Sequence, residues 1–158
     1  MLPIEHIFPQ EKNYIISLRD ALKDCPKSEG VKYPQKKKEV LELVPEGGYW
    51  KNLPVELQKE YMKKSFYHTG GRTGMARRLA WSEPSLTLTC SPAQKQTERC
   101  HPSETRPLNL REYARIQTFP DSWDFQGAMT SKYKQIGNAV PVNLGYHIAK
   151  CIIEMLES

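Results

Sequence analysis

No apolar run in this 158-residue chain approaches the roughly 20 residues that a membrane span requires. The start, MLPIEHIFPQEKN, lacks the charged-then-apolar pattern of a secretory leader, and a cytoplasmic location is expected. The four cysteines, Cys25, Cys90, Cys100 and Cys151, form no C-x-x-C pair, so free and mostly buried thiols are expected. Cys90, Cys100, His101 and His68 match none of the usual zinc spacings, and no metal site is expected. Neither G-x-G-x-x-G nor G-x-x-x-x-G-K occurs, and His68, His101 and His147 lie in unrelated contexts. A self-contained phosphate cradle or hydrolytic centre is therefore absent, and no catalytic residue is assigned. Repeats and low-complexity tracts are missing too.

With 39% hydrophobic residues and a mean hydropathy of -0.64, the core should be thin. Twelve prolines against nine glycines imply many loops. The N-terminal third reads as short helices: SLRDALKD with Ser17 as N-cap, QKKKEVLELV from Gln35 to Val44, and LPVELQKEYMKKSF with Pro54 in its first turn. In SLTLTCS, Leu86, Leu88 and Cys90 alternate with Thr87 and Thr89, which predicts a strand with one buried face. In NLREYARIQTF, Asn109 and Glu112 stand in capping-box register. A final helix is predicted from about Val142, with Leu144, Ile148, Ile152 and Met155 as a buried stripe. The paired acids Asp121 and Asp124 flank Trp123 at the end of a helix, where they turn the chain.

The net charge of +5 says less than its distribution. HTGGRTGMARRLAW carries Arg72, Arg77 and Arg78 with three glycines and no acidic residue. Glycines allow close backbone approach and arginines bond phosphate or guanine edges, yet a solvated charged loop has the same composition. Lys95 and Arg99 would widen this patch if the two loops lie together. In KQIGNAVP, Gly137 is expected to take a positive φ and close a short helix. Asn138 then either caps the last helix or presents amide groups to an anion at its start.

Two stretches, RPLNLREYARIQTFPDSW and YKQIGNAVPVNLGYHIA, resemble the final two motifs of the DNA cytosine-5 methyltransferases of restriction-modification systems. The matching positions are Arg106, Arg111, Glu112, Ala114, Arg115, Gln117, Phe119, Pro120 and Asp121, then Gln135, Gly137, Asn138, Val140 and Pro141. The resemblance implies that Arg106, Arg111, Glu112, Arg115, Gln117, Gln135 and Gly137 form a structural framework. It also implies that Asn138, Ala139 and Val140 wall an S-adenosyl-L-methionine site. Arg72, Arg77, Arg78, Gln94, Gln96 and Arg99 fall in the target-recognition region, with duplex DNA as partner. The implied fold is α+β: a small mixed recognition domain with a short antiparallel sheet and several helices. It ends in a helix docked on a Rossmann-like catalytic domain outside this sequence. The expected division is 1–66 as a helical linker region, 67–128 as the recognition domain with its hinge motif, and 129–158 as cofactor wall and closing helix.

This sequence contains no Pro-Cys, whose thiolate would attack the flipped cytosine, and no Glu-Asn-Val. YPQKKKE has lysines where the family's Arg-x-Arg motif has arginines, and is not that motif. The expectation is a C-terminal portion or small subunit, inactive alone and completed by a larger chain bearing the catalytic motifs. The alternative is a non-catalytic DNA-binding remnant of a truncated gene.

Overall fold

A computed structural model describes residues 9–157. Residues 1–8, the start of the expected linker region, lie outside the described residues. Among the described residues six α-helices occur, in the order α1 (Leu18–Ala21), α2 (Gln35–Glu42), α3 (Val55–Met62), α4 (Leu110–Ile116), α5 (Met129–Asn138) and α6 (Val142–Glu157). Their starts follow from local chemistry. Ser17 Oγ accepts from the Asp20 amide at 3.3 Å while the Asp20 carboxylate accepts from the Ser17 amide at 3.0 Å. Pro34 and Pro54 immediately precede α2 and α3, where a missing N–H costs nothing. Asn109 and Glu112 exchange the same reciprocal pair of bonds at 3.0 and 2.8 Å to start α4.

The expected α+β fold with a short antiparallel sheet is not what forms. The described residues are mainly helical, and their β pairing is confined to isolated bridges, Arg78 with Cys100 and Cys100 with Pro107. Residues 85–91 form no strand, and side chains take up part of their backbone hydrogen bonding. The Tyr113 hydroxyl donates to the Thr89 carbonyl at 2.7 Å and accepts from the Thr89 amide at 3.1 Å. Arg99 Nε donates to the Thr87 carbonyl at 3.1 Å. Leu88 is buried, but Leu86 and Cys90 are exposed, so the alternation does not mark one covered face.

Two apolar clusters make the core. One gathers Leu18, Leu22, Leu79, Leu88, Leu108, Tyr113, Phe125, Tyr133 and Ile136 around α4 and α5. The other gathers Leu41, Val44, Trp50, Leu53, Met62, Met75 and Cys100 around α2 and α3. Arg78 ties the end of α2 to the loop at residues 101–105. Its buried guanidinium donates to the Leu41 and Val44 carbonyls at 2.7 Å each, and to the His101 carbonyl at 3.0 Å. It thereby adds a donor to the Leu41 carbonyl and supplies one to the Val44 carbonyl just past the end of α2.

The stripe on α6 also departs from expectation. Leu144, Ile148 and Ile152 are 46%, 39% and 46% exposed, and no residue of α6 is buried. None of the described helices is long and apolar enough to cross a membrane.

Candidate cofactor wall and nucleic-acid interface

Gln117, at the end of α4, organises the turn between α5 and α6. Its buried side-chain amide donates to the carbonyls of Ile136 at 3.2 Å and Ala139 at 3.3 Å. Its own carbonyl accepts from the Val142 amide at 3.1 Å. Next to it Thr118, with a φ of +59°, turns its hydroxyl to accept from the Asn143 amide at 2.9 Å. The two sequence motifs are thus one hydrogen-bonded unit. Without Gln117 the Ile136 carbonyl would keep the Ala139 amide as donor, and loss of the side-chain bond to the Ala139 carbonyl would cost about 1 kcal/mol.

Gly137 lies inside α5 and does not take the positive φ expected of it. Its need is space: a Cβ there would stand 2.1 Å from the Thr89 carbonyl oxygen and 2.8 Å from the Cys90 nitrogen. Close packing of helix on loop puts the exposed Cys90 thiol in reach of Asn138, donating to its Oδ1 at 3.0 Å. Asn138 therefore ends α5 and does not cap α6. The Cys90 contact carries no sequence signal, since the two residues lie 48 positions apart.

The rest of the hinge motif is a lattice of charge-assisted bonds. Arg106 grips Glu112 in bidentate fashion, at 2.8 Å on both oxygens, and also takes Glu104 at 3.0 Å. The Glu112 bonds, more than those of Glu104, hold the Arg106 proton more tightly than usual. Arg111 donates to the carbonyls of Pro120 and Trp123. Arg115 pairs with Asp121 at 2.5 Å and reaches the carbonyls of Lys23 and Asp24. Gln135 donates to the Gln126 carbonyl at 2.8 Å.

The sequence pattern of the C-5 cytosine-specific DNA methylases matches residues 4–154. This chain belongs to that family. The type II methyltransferase M.Eco47II of Escherichia coli is 63% identical, in an alignment covering 98% of this chain and 39% of the relative. M.PspPI of Psychrobacter sp. (strain TA137) is 62% identical over 91% of this chain and 36% of its own length. M.Sau96I of Staphylococcus aureus is 58% identical over 94% and 35%. The chain thus spans well under half the length of these curated relatives.

Enzymes of this family use S-adenosylmethionine, and the 138–140 turn has the chemistry to meet its anionic end. The Ala139 amide is taken by the Ile136 carbonyl, but the Val140 amide and the Asn138 side-chain nitrogen make no hydrogen bond among the described residues. Both residues are exposed. Two free donors, one of them a backbone amide, could hold a carboxylate.

The arginines of this methylase chain divide by burial. Arg78 and Arg99 are each 5% exposed, with donors spent on the chain's own carbonyls, those of Thr87 and Glu98 in the case of Arg99. Arg72 is half-buried and clasps the carbonyls of Ser65, His68 and Thr69. Arg77, also half-buried, lies 3.5 Å from Glu83. Gln94 and Gln96 are exposed on the loop between Ala93 and Thr97. Beneath that loop sits a feature the sequence does not advertise, the fully buried Glu98 with Lys37 Nζ at 2.7 Å. Burial raises the Glu98 pKa and Lys37 opposes the rise. No cluster of metal-ligating residues occurs among the described residues.

Proposed function

We propose that this chain is the C-terminal portion, or a small subunit, of a DNA cytosine-5 methyltransferase. It recognises duplex DNA and contributes Asn138, Ala139 and Val140 to the S-adenosylmethionine site. The observation that carries this reading is the Gln117 and Thr118 clamp. It holds the 138–140 turn with two exposed donors at the foot of an apolar helix, α6, none of whose residues is buried among the described residues. Exposed Val142, Leu144, Ile148 and Ile152 suit docking on a catalytic domain supplied by further polypeptide, in the same or a second chain. The bound cofactor supplies the methyl group, and the attacking thiolate belongs to that further polypeptide. Gln94, Gln96, Arg72 and Arg77 are the proposed DNA contacts. For Arg78 and Arg99 the geometry supports bracing of the recognition loops over direct readout.

The test is transfer of labelled methyl from S-adenosylmethionine to duplex DNA, with this chain alone and with a polypeptide carrying the Pro-Cys and Glu-Asn-Val motifs. Activity is expected in the mixture only. In that complex Asn138→Ala should weaken cofactor binding and leave DNA binding intact. Silence in the mixture, with a folded chain that still binds DNA, would leave a recognition module without an enzyme.

A further inference from the structure

A cavity of about 310 Å³ opens between α2, α3 and the loop around Lys95, apart from the cofactor wall. Four lysines line it: Lys36 and Lys37 from α2, Lys63 just after α3, and Lys95. Glu60 is the acid among the lining residues, and Glu98 lies buried beneath. Four cations against two carboxylates leave an excess of two positive charges. Lys37 is committed to Glu98 and to the Ala93 carbonyl at 2.7 Å. Lys95 is fixed by the Tyr61 carbonyl at 2.5 Å and sits 4.6 Å from the centre of the Tyr61 ring. No ion pair among the described residues neutralises Lys36, Lys63 or Lys95.

The arrangement is held against two costs. Burial first, then the charges of Lys63 and Lys37, weaken the hold of Lys95 on its proton. Lys63 has φ +52° and ψ -133°, a backbone state that costs a non-glycine residue about 1–3 kcal/mol. The gathered like charges are relieved by an anion at the cavity, whereas the backbone cost at Lys63 only shows that its position is held by the fold. Lysine serves a phosphate as a point charge, without the planar fork that reads guanine, so the site suits positioning over sequence readout. The exposed Gln94 and Gln96 flank Lys95.

We propose that this cavity seats a backbone phosphate of duplex DNA between Lys36, Lys63 and Lys95, fixing the register of the neighbouring Gln94–Gln96 loop. The inference rests on the reading of this chain as a DNA-binding part. The experiment is fluorescence anisotropy of a labelled duplex against salt concentration. It compares the chain, the double variant Lys36→Gln/Lys63→Gln, and Lys59→Gln, which changes charge on α3 outside the cavity. Lys36 and Lys63 are exposed, so the double variant should fold, and circular dichroism checks this. The double variant should bind several-fold more weakly to every duplex sequence, with a log–log salt slope shallower by about 0.9 for the one lost phosphate contact. Lys59→Gln should bind as the parent does. Parent-like affinity and slope in the double variant, or an equal loss in Lys59→Gln, would overturn the phosphate seat while leaving DNA binding by the chain standing. Absence of salt-dependent binding by the parent chain would instead bring down the functional reading, and this inference with it.

Discussion

Two glycines of the closing region show how differently the same residue type can be constrained. At Gly137 an added Cβ meets the Thr89 backbone at 2.1 Å, whereas at Gly145 it meets nothing within 4 Å. Gly137→Ala should therefore destabilise the chain by about 2 kcal/mol or more, as overpacking against backbone does. Gly145→Ala, inside α6, should be neutral or stabilising by up to about 1 kcal/mol through helix propensity. Thermal melting of both variants checks the contrast, and equal melting points would mean that helix and loop part without cost. Gly137 stood out in the sequence, but for a positive φ it does not have; what it needs is contact with a residue 48 positions away. Arg78 and Arg99 carry the same lesson. A buried arginine bracing carbonyls and a surface arginine awaiting phosphate are written with the same letter, and only the surrounding backbone tells them apart.

Among the elements, the helices were legible because their signals are local. Ser17 and the Asn109–Glu112 box act within four residues of themselves and appear where their spacing placed them, while Pro54 stands one step earlier, at the N-cap of α3 and not in its first turn. The 85–91 segment was not legible, because alternation reports one buried face without saying what meets the backbone. Here the Tyr113 hydroxyl and the Arg99 guanidinium take up part of its backbone hydrogen bonding. The link from α4 to the 138–142 turn was likewise visible only as two motifs side by side. Gln117→Leu tests that link: it removes the donors to Ile136 and Ala139 while keeping an apolar body of similar size. The amides of Val142 and Asn143 should then exchange with solvent at least about tenfold faster, as expected when about 1.4 kcal/mol of local protection is lost. Unchanged exchange at both amides would show that Thr118 and packing suffice to hold the turn.

For the molecule as a whole, the observable is stability against pH. His101 is 6% exposed, and its Nδ1 accepts from the amides of Ser103 and Glu104, which requires a ring nitrogen free of its proton. Burial, aided by Arg106, lowers its pKa below the ordinary 6.5. The unfolded chain therefore takes up this proton first on acidification. The stability due to neutral His101 is full above about pH 6.5 and drains away as pH falls toward the folded pKa. The urea midpoint of the parent should fall more steeply between about pH 7 and pH 5.5 than that of His101→Gln. Contributions from Glu98, raised by burial, and from Asp121, lowered by Arg115, are common to both proteins and cancel in the comparison. Parallel slopes would assign the acid sensitivity elsewhere. The contact between Gly137 and Thr89 has a reach beyond its own few atoms. With no side chain between them, the loop at Thr89–Cys90 and the end of α5 pack backbone against backbone. On the reading proposed above, a ligand that displaces this loop alters affinity at Asn138, and thermodynamic reciprocity makes a ligand at Asn138 alter affinity at the loop by the same factor.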